Sequence, residues 1–171
     1  MLPLLLAGAA LAQDAATMDV MVGGAVVVPT GRSGAAQIAQ VGVSTALSRH
    51  HHLGLRLGVA PPGAATTHTI WAPAVDYRGF FRLDGPMDPF FTAQLGFLLA
   101  DRSSEGRTNL AEAAGALGLG FELGWPMGAR RVFLAPSVGL APGAFFGDGP
   151  FSVAAPIADL RIGLRTPPST R

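Results

Sequence analysis

The chain has 171 residues, enough for one domain with its own core, and it is 49% hydrophobic but only 13% charged, a balance that argues against intrinsic disorder. The formal net charge is +1, with every cation an Arg, so there is no broad basic surface and no nucleic-acid partner is expected. Zero Cys removes disulfides, thiolate metal sites and Cys nucleophiles together.

The first segment reads as a secretory signal peptide over residues 1–12. It is a short apolar stretch from Leu2 to Leu11 that ends in the small-x-small pattern Ala10-Leu11-Ala12, with Gln13 and Asp14 beginning a polar mature end. The competing reading is a buried N-terminal strand. A membrane anchor is less favoured than either, since about 20 apolar residues are needed to span as a helix. Further on, the uncharged stretches 57–75 and 132–147 are broken by Pro61, Pro62 and Pro73 and by Pro136 and Pro142, and proline costs a helix interior roughly 3 kcal/mol. The stretch 33–48 carries Gln37, Gln40, Ser44 and Thr45.

After a short segment at 13–17, the mature chain alternates with a period of two, which is the pattern of strands with two unlike faces. Eight strands are predicted, near 19–28, 38–48, 53–60, 70–83, 90–100, 112–123, 131–141 and 153–165. The run Leu53-Gly54-Leu55-Arg56-Leu57-Gly58-Val59 is the cleanest, with Leu, Leu, Leu and Val on one face and Gly, Arg and Gly on the other. Connections at 49–52, 84–89 and 124–130 are short and turn-like; those at 29–37, 61–69, 101–111 and 142–152 are longer. Short turns at one end and longer loops at the other describe a single antiparallel up-and-down barrel over residues 18–165, followed by a tail at 166–171.

The faces decide which way such a barrel is turned. No charge falls on the apolar face of any predicted strand, although several would by chance. The opposite face carries Asp19, Arg56, Asp76, Arg78, Arg82, Glu122, Arg131, Asp159, Arg161 and Arg165 among Gly, Ala, Ser, Thr and Gln. An eight-stranded bore holds little beyond its own side chains, so the bulky apolar face belongs outside and the charges within. Strands of about ten residues, tilted by about 40°, rise about 25 Å, the height of a transmembrane barrel's apolar band. Trp71, Phe81, Phe91, Phe121 and Trp125 lie near strand ends, where interfacial aromatic girdles sit.

In this pattern the chain resembles the eight-stranded outer-membrane β-barrels of Gram-negative bacteria, the OmpA transmembrane-domain and OmpX type. The resemblance implies an all-β transmembrane barrel in the cell outer membrane. Its expected partners are outer-membrane lipid, lipopolysaccharide and the outer-membrane assembly machinery, and a monomer is expected. The family usually ends on a terminal aromatic; this chain runs on past Leu164 through Thr166-Pro167-Pro168-Ser169-Thr170-Arg171 and has one Tyr beside ten Phe.

Charges buried in a bore must be paired, and the Arg fork suits carboxylates. The predicted lumen network is Arg56, Asp76, Arg78, Glu122, Asp159 and Arg161, with Gln94 and Ser44 taking spare hydrogen bonds. His50-His51-His52 reads as a solvated turn in preference to a metal site, and the glycines around Gly118-Leu119-Gly120 read as packing positions in a strand. No cofactor and no metal are expected. Barrels that modify lipid A would need an outward Ser–His pair or an apolar interior slot. The outward faces show neither Ser nor His, the interior carries charges, and His68 with Ser103, Ser104 and Glu105 has no motif behind it. The function expected is therefore a non-enzymatic outer-membrane barrel with a structural or surface-interaction role, with Phe145 and Phe146 as loop contacts. The alternatives are a narrow passive channel or a soluble periplasmic ligand-binding barrel.

Overall fold

A computed structural model describes residues 17–28, 35–63, 68–83, 85–101, 110–141 and 155–166. The expected signal peptide, residues 167–171 of the expected tail, Ser103, Ser104, Glu105, Phe145 and Phe146 lie outside them. The strands are β1 (Met18–Val27), β2 (Ala36–Ala46), β3 (His51–Ala60), β4 (Thr69–Phe80), β5 (Met87–Asp101), β6 (Leu110–Met127), β7 (Arg130–Ala141) and β8 (Ala155–Thr166). Each pairs antiparallel with its neighbours in chain order, and β8 returns to β1, so the sheet closes. Closure gives every strand two partners and leaves no edge in hydrocarbon.

The period-two pattern sets the outside. Val20, Val22, Val41, Val43, Leu55, Val75, Leu95, Phe97, Leu117, Leu119, Val138, Leu160 and Ile162 are all exposed on the wall, Leu95 by 71%. The bore differs from the sequence reading in one respect. It is not only charges and small side chains: Met21, Phe80, Phe90 and Phe133 are buried in its turn half, and Val27 and Ile70 with six alanines fill its loop half. These residues occupy the polar phase of their strands. Parity, not residue type, decides which way a side chain points.

β3, β5, β6 and β7 are longer than predicted, and the β6–β7 connection shrinks. β6 and β7 run on to a two-residue turn, Gly128-Ala129, in which Gly128 takes the left-handed φ of 61° that such hairpins favour at their first position. At the same end of the barrel, Arg82 lies beyond the last residue of β4 and is exposed, so it is not a bore residue as its parity suggested. His51 and His52 belong to β3 instead of a solvated turn. The strand starts two residues early, and the inward phase of Gly54 and Arg56 then makes His52 buried.

Aromatic side chains gather outside at the turn end. Phe91 packs against Tyr77 (5.5 Å between ring centroids) and Phe81 (5.8 Å), and His51 stacks on Tyr77 at 5.9 Å. Gly79 lies under the Phe91 ring, where a Cβ would clash with the ring carbons. Trp125 is exposed at the same end. This is the interfacial girdle expected where a barrel leaves the hydrocarbon.

The hydrogen-bond ladder is interrupted at two prolines. Between β4 and β5 it stops at Trp71 opposite Leu99 and resumes at Ala74 opposite Gly96. Between β6 and β7 it stops at Gly120 opposite Ser137 and resumes at Leu123 opposite Leu134. Pro73 and Pro136 sit in these gaps, and each lacks the N–H that would face the neighbouring strand.

If this wall meets hydrocarbon, Leu95→Arg should destabilise the barrel refolded into liposomes by about 2–4 kcal/mol. Denaturant titration of the refolded protein measures it, and an unchanged midpoint would show that position 95 is not in lipid.

Candidate functional site

The inward residues build two tiers of charge. Nearest the turns, β1 contributes Asp19, β4 Arg78, β6 Glu122 and β8 Arg165. The Arg165 fork bridges the two acids. Its Nε donates to Asp19 Oδ1 at 2.8 Å, while Nη1 and Nη2 donate to the Glu122 oxygens at 2.8 and 2.9 Å. Arg78, fully buried, donates from Nη2 to Asp19 Oδ2 (2.7 Å) and to Ser44 Oγ (2.9 Å), with Nη1 3.5 Å from Glu122. His52 Nδ1 is 3.3 Å from Asp19.

The aromatic rings of the bore hold these guanidiniums in place. The Arg165 carbon lies 5.1 Å from the Phe133 centroid and 5.7 Å from that of Phe80; the Arg78 carbon lies 5.5 and 5.9 Å from the same rings. Delocalised cations over ring faces keep an attractive contact where water is excluded. Phe133 can lie flat because Gly163 is opposite it on β8, and a Cβ there would come within 2.6 Å of a ring carbon.

The second tier is nearer mid-bore. Arg161 donates from Nη1 to Asp76 Oδ2 and from Nε to Asp159 Oδ2, both at 2.8 Å. Asp159 also accepts from Arg56 Nη1 at 3.2 Å and from Gln40, and Arg56 donates in turn to Gln94. Thr92 Oγ1 reaches Asp76 at 3.4 Å. The tiers are linked through Arg78 Nε and Asp76 Oδ2, 3.9 Å apart. At the turn mouth Arg131 pairs with Asp88 at 3.1 Å. Among the described bore residues the acids Asp19, Asp76, Asp88, Glu122 and Asp159 are thus matched one for one by Arg56, Arg78, Arg131, Arg161 and Arg165.

The six residues expected to form a lumen network divide between the tiers: Arg56, Asp76, Asp159 and Arg161 in the mid-bore tier, Arg78 and Glu122 in the turn tier. Gln94 and Ser44 take hydrogen bonds from Arg56 and Arg78. The sequence reading left out Asp19 and Arg165, which tie the turn tier together. Both were on the charged face. What brings them together is the closing β1–β8 pair, where Asp19 stands opposite Arg165. Gln40 and His52 were also missed, one as an uncharged residue and the other as a turn residue.

Above the upper tier the bore turns apolar. A cavity of about 70 Å³ lies there, walled by Val27, Ile38, Leu98, Ala116 and Ile157, with Arg56 and Gln94 at its polar end. The charges expected in the interior lie in its turn half and mid-bore. His68 is buried near the loop end of β4. Among the described residues no group of His and acidic side chains is arranged to hold a metal.

Comparison with solved structures places this architecture. The N-terminal β-barrel domain of Pseudomonas aeruginosa OprF superposes with a TM-score of 0.64 at 13% identity, over 87% of this chain and 96% of that one. The chain has the fold of the eight-stranded outer-membrane barrels. Neisserial surface protein A (NspA) matches with a TM-score of 0.59 at 10% identity over 89% of this chain and 96% of that one. Ail, the attachment invasion locus protein of Yersinia pestis, matches at 0.51 and 9% identity, over 90% of this chain and 98% of its own. No family model and no curated protein matches the chain.

Breaking a buried pair on one side leaves an uncompensated charge, at a cost of about 3–5 kcal/mol. Glu122→Ala should lower stability by about that amount, because Arg165 is then left with Asp19 as its carboxylate partner and must share it with Arg78. Arg82→Ala, on the exposed turn, should change it by less than about 0.5 kcal/mol. Denaturant midpoints of the two variants check the contrast.

Proposed function

We propose that this chain is a non-enzymatic barrel of the cell outer membrane with a structural or surface-interaction role. The observation that carries this reading is the charge-paired turn half and mid-bore inside an apolar wall. Among the described residues each buried acid has an Arg partner, and Arg78, Glu122 and Asp19 are fully buried. A bore packed in this way suits a stiff plug that holds eight strands in register, and it leaves ions no open aqueous route through the turn half. The exposed wall of Val, Leu, Ile and Phe suits lipid and offers a soluble carrier nothing but an insoluble surface.

Outer-membrane lipid, lipopolysaccharide and the barrel-assembly machinery are the partners this reading requires. A surface role finds support in the names of two structural neighbours, a surface protein and an attachment protein. The loops that join the strands at the end away from Gly128 would face the exterior.

The test is fractionation followed by planar-bilayer recording. The protein should be extracted from outer membranes as a compact species that migrates faster unboiled than boiled, and it should add no stepwise conductance to a lipid bilayer. Recovery in the periplasmic soluble fraction would overturn the reading, and discrete conductance steps would replace the plug with a channel.

A further inference from the structure

The interruption of the β4–β5 ladder and the apolar cavity of the loop half are the same place. Four residues fall outside the ladder there, Ala72 and Pro73 on β4 and Leu98 and Phe97 on β5. All four line the cavity. Two of them face inward, where Ala72 and Leu98 are half-buried, and Phe97 is 56% exposed on the lipid side. The weakest point in this seam of the wall therefore separates an apolar void from the surrounding phase. The second interruption, at Pro136, lacks this arrangement. It is backed by Ala135 and Glu122, both fully buried.

We propose that the β4–β5 seam at Pro73 is a lateral port through which the methyl end of a lipid acyl chain enters the bore. The occupant follows from what lies on each side. Outside the port the wall is Trp71, Val75, Leu95, Phe97 and Leu99, all exposed, so the phase in contact with it is hydrocarbon. Inside, the lining is aliphatic except at Arg56 and Gln94, whose polar groups are already engaged with Asp159 and with each other. A void of about 70 Å³ is several times what one water requires, yet its aliphatic walls give water few partners. It suits the last few carbons of a chain, which gain dispersion contacts with Ile38, Leu98 and Ile157. Pro73 makes this possible because it removes one cross-strand hydrogen bond where the chain must pass. The lining includes no hydroxyl, imidazole or carboxylate, so the site binds the chain and does not cleave it.

This inference rests on the membrane reading above, and the experiment separates the two. The folded protein is reconstituted into phosphatidylcholine vesicles doped with a phospholipid carrying a diazirine at the end of one acyl chain, irradiated, and mapped by mass spectrometry. Adducts are expected on outward Phe97 and Leu99, which report that the wall is in lipid, and also on inward Leu98, Ile38 and Ile157. Ala116→Leu, which fills the cavity, and Pro73→Thr, which restores the missing donor, should each reduce the inward adducts at least fivefold and leave the outward ones unchanged. Heat-modifiable migration checks that both variants fold. Unlabelled lipopolysaccharide added to the vesicles tells the sources apart. It lowers the inward adducts selectively where its own chains take the port and leaves them where phospholipid chains do; entry of an acyl chain stands in both cases. Outward adducts without inward ones, or inward adducts that survive both substitutions, overturn the port. Absence of outward adducts overturns the membrane reading itself.

Discussion

The pairing of Arg165 with Asp19 and Glu122 is the interaction on which the rest of this barrel depends. Arg165 is on the last strand and Asp19 on the first, 146 residues apart, and the closing seam sets them opposite each other. A guanidinium turned into the bore has little water to solvate it, so its partners must come from other strands. Arg165 can meet both acids only when β8 has returned to β1. The network and the closure of the sheet are one condition.

The same constraint explains why the bore mixes charge with large rings. Arginines paired in a low-dielectric interior gain from hydrogen bonds in the guanidinium plane and from aromatic faces above it. Phe80 and Phe133 occupy those faces over Arg78 and Arg165, and Gly163 leaves room for the second ring. Charges and rings together fill the turn half. The loop half is lined instead by short alanines and a few branched side chains, too small to meet across the bore everywhere, which leaves the cavity above Arg56. Ion pairs and ring contacts are thus concentrated at one end of the cylinder, and the cavity lies toward the other.

Prolines sharpen that division. In a sheet bounded by hydrocarbon, an unpaired backbone group is costly, yet Pro73 and Pro136 each interrupt a ladder. At Pro136 the bore behind the wall is filled, and the outer surface forms a groove beside Phe121, Val138 and Leu160. At Pro73 the bore behind is open. The consequence of the same backbone defect depends on what the facing strands put behind it.

Much of this was legible in the order of residues. A period of two, unbroken by charge on one face, dictates strands whose apolar side must turn outward, because an eight-stranded bore is too narrow for that many Val, Leu and Phe side chains. That argument also assigned Arg56, Asp76, Arg78, Glu122, Asp159 and Arg161 to the interior, since parity is a local property. Partnership is not local. Which acid meets which guanidinium depends on stagger between strands and on closure, so Asp19 and Arg165 became the centre of the turn tier only in three dimensions. His52 entered the bore because β3 starts earlier than its hydrophobic run. The cavity was invisible for the same reason: it is bounded by side chains from strands far apart in the chain, and only their heights in the closed cylinder decide that Ala72, Leu98 and Ile157 surround one space.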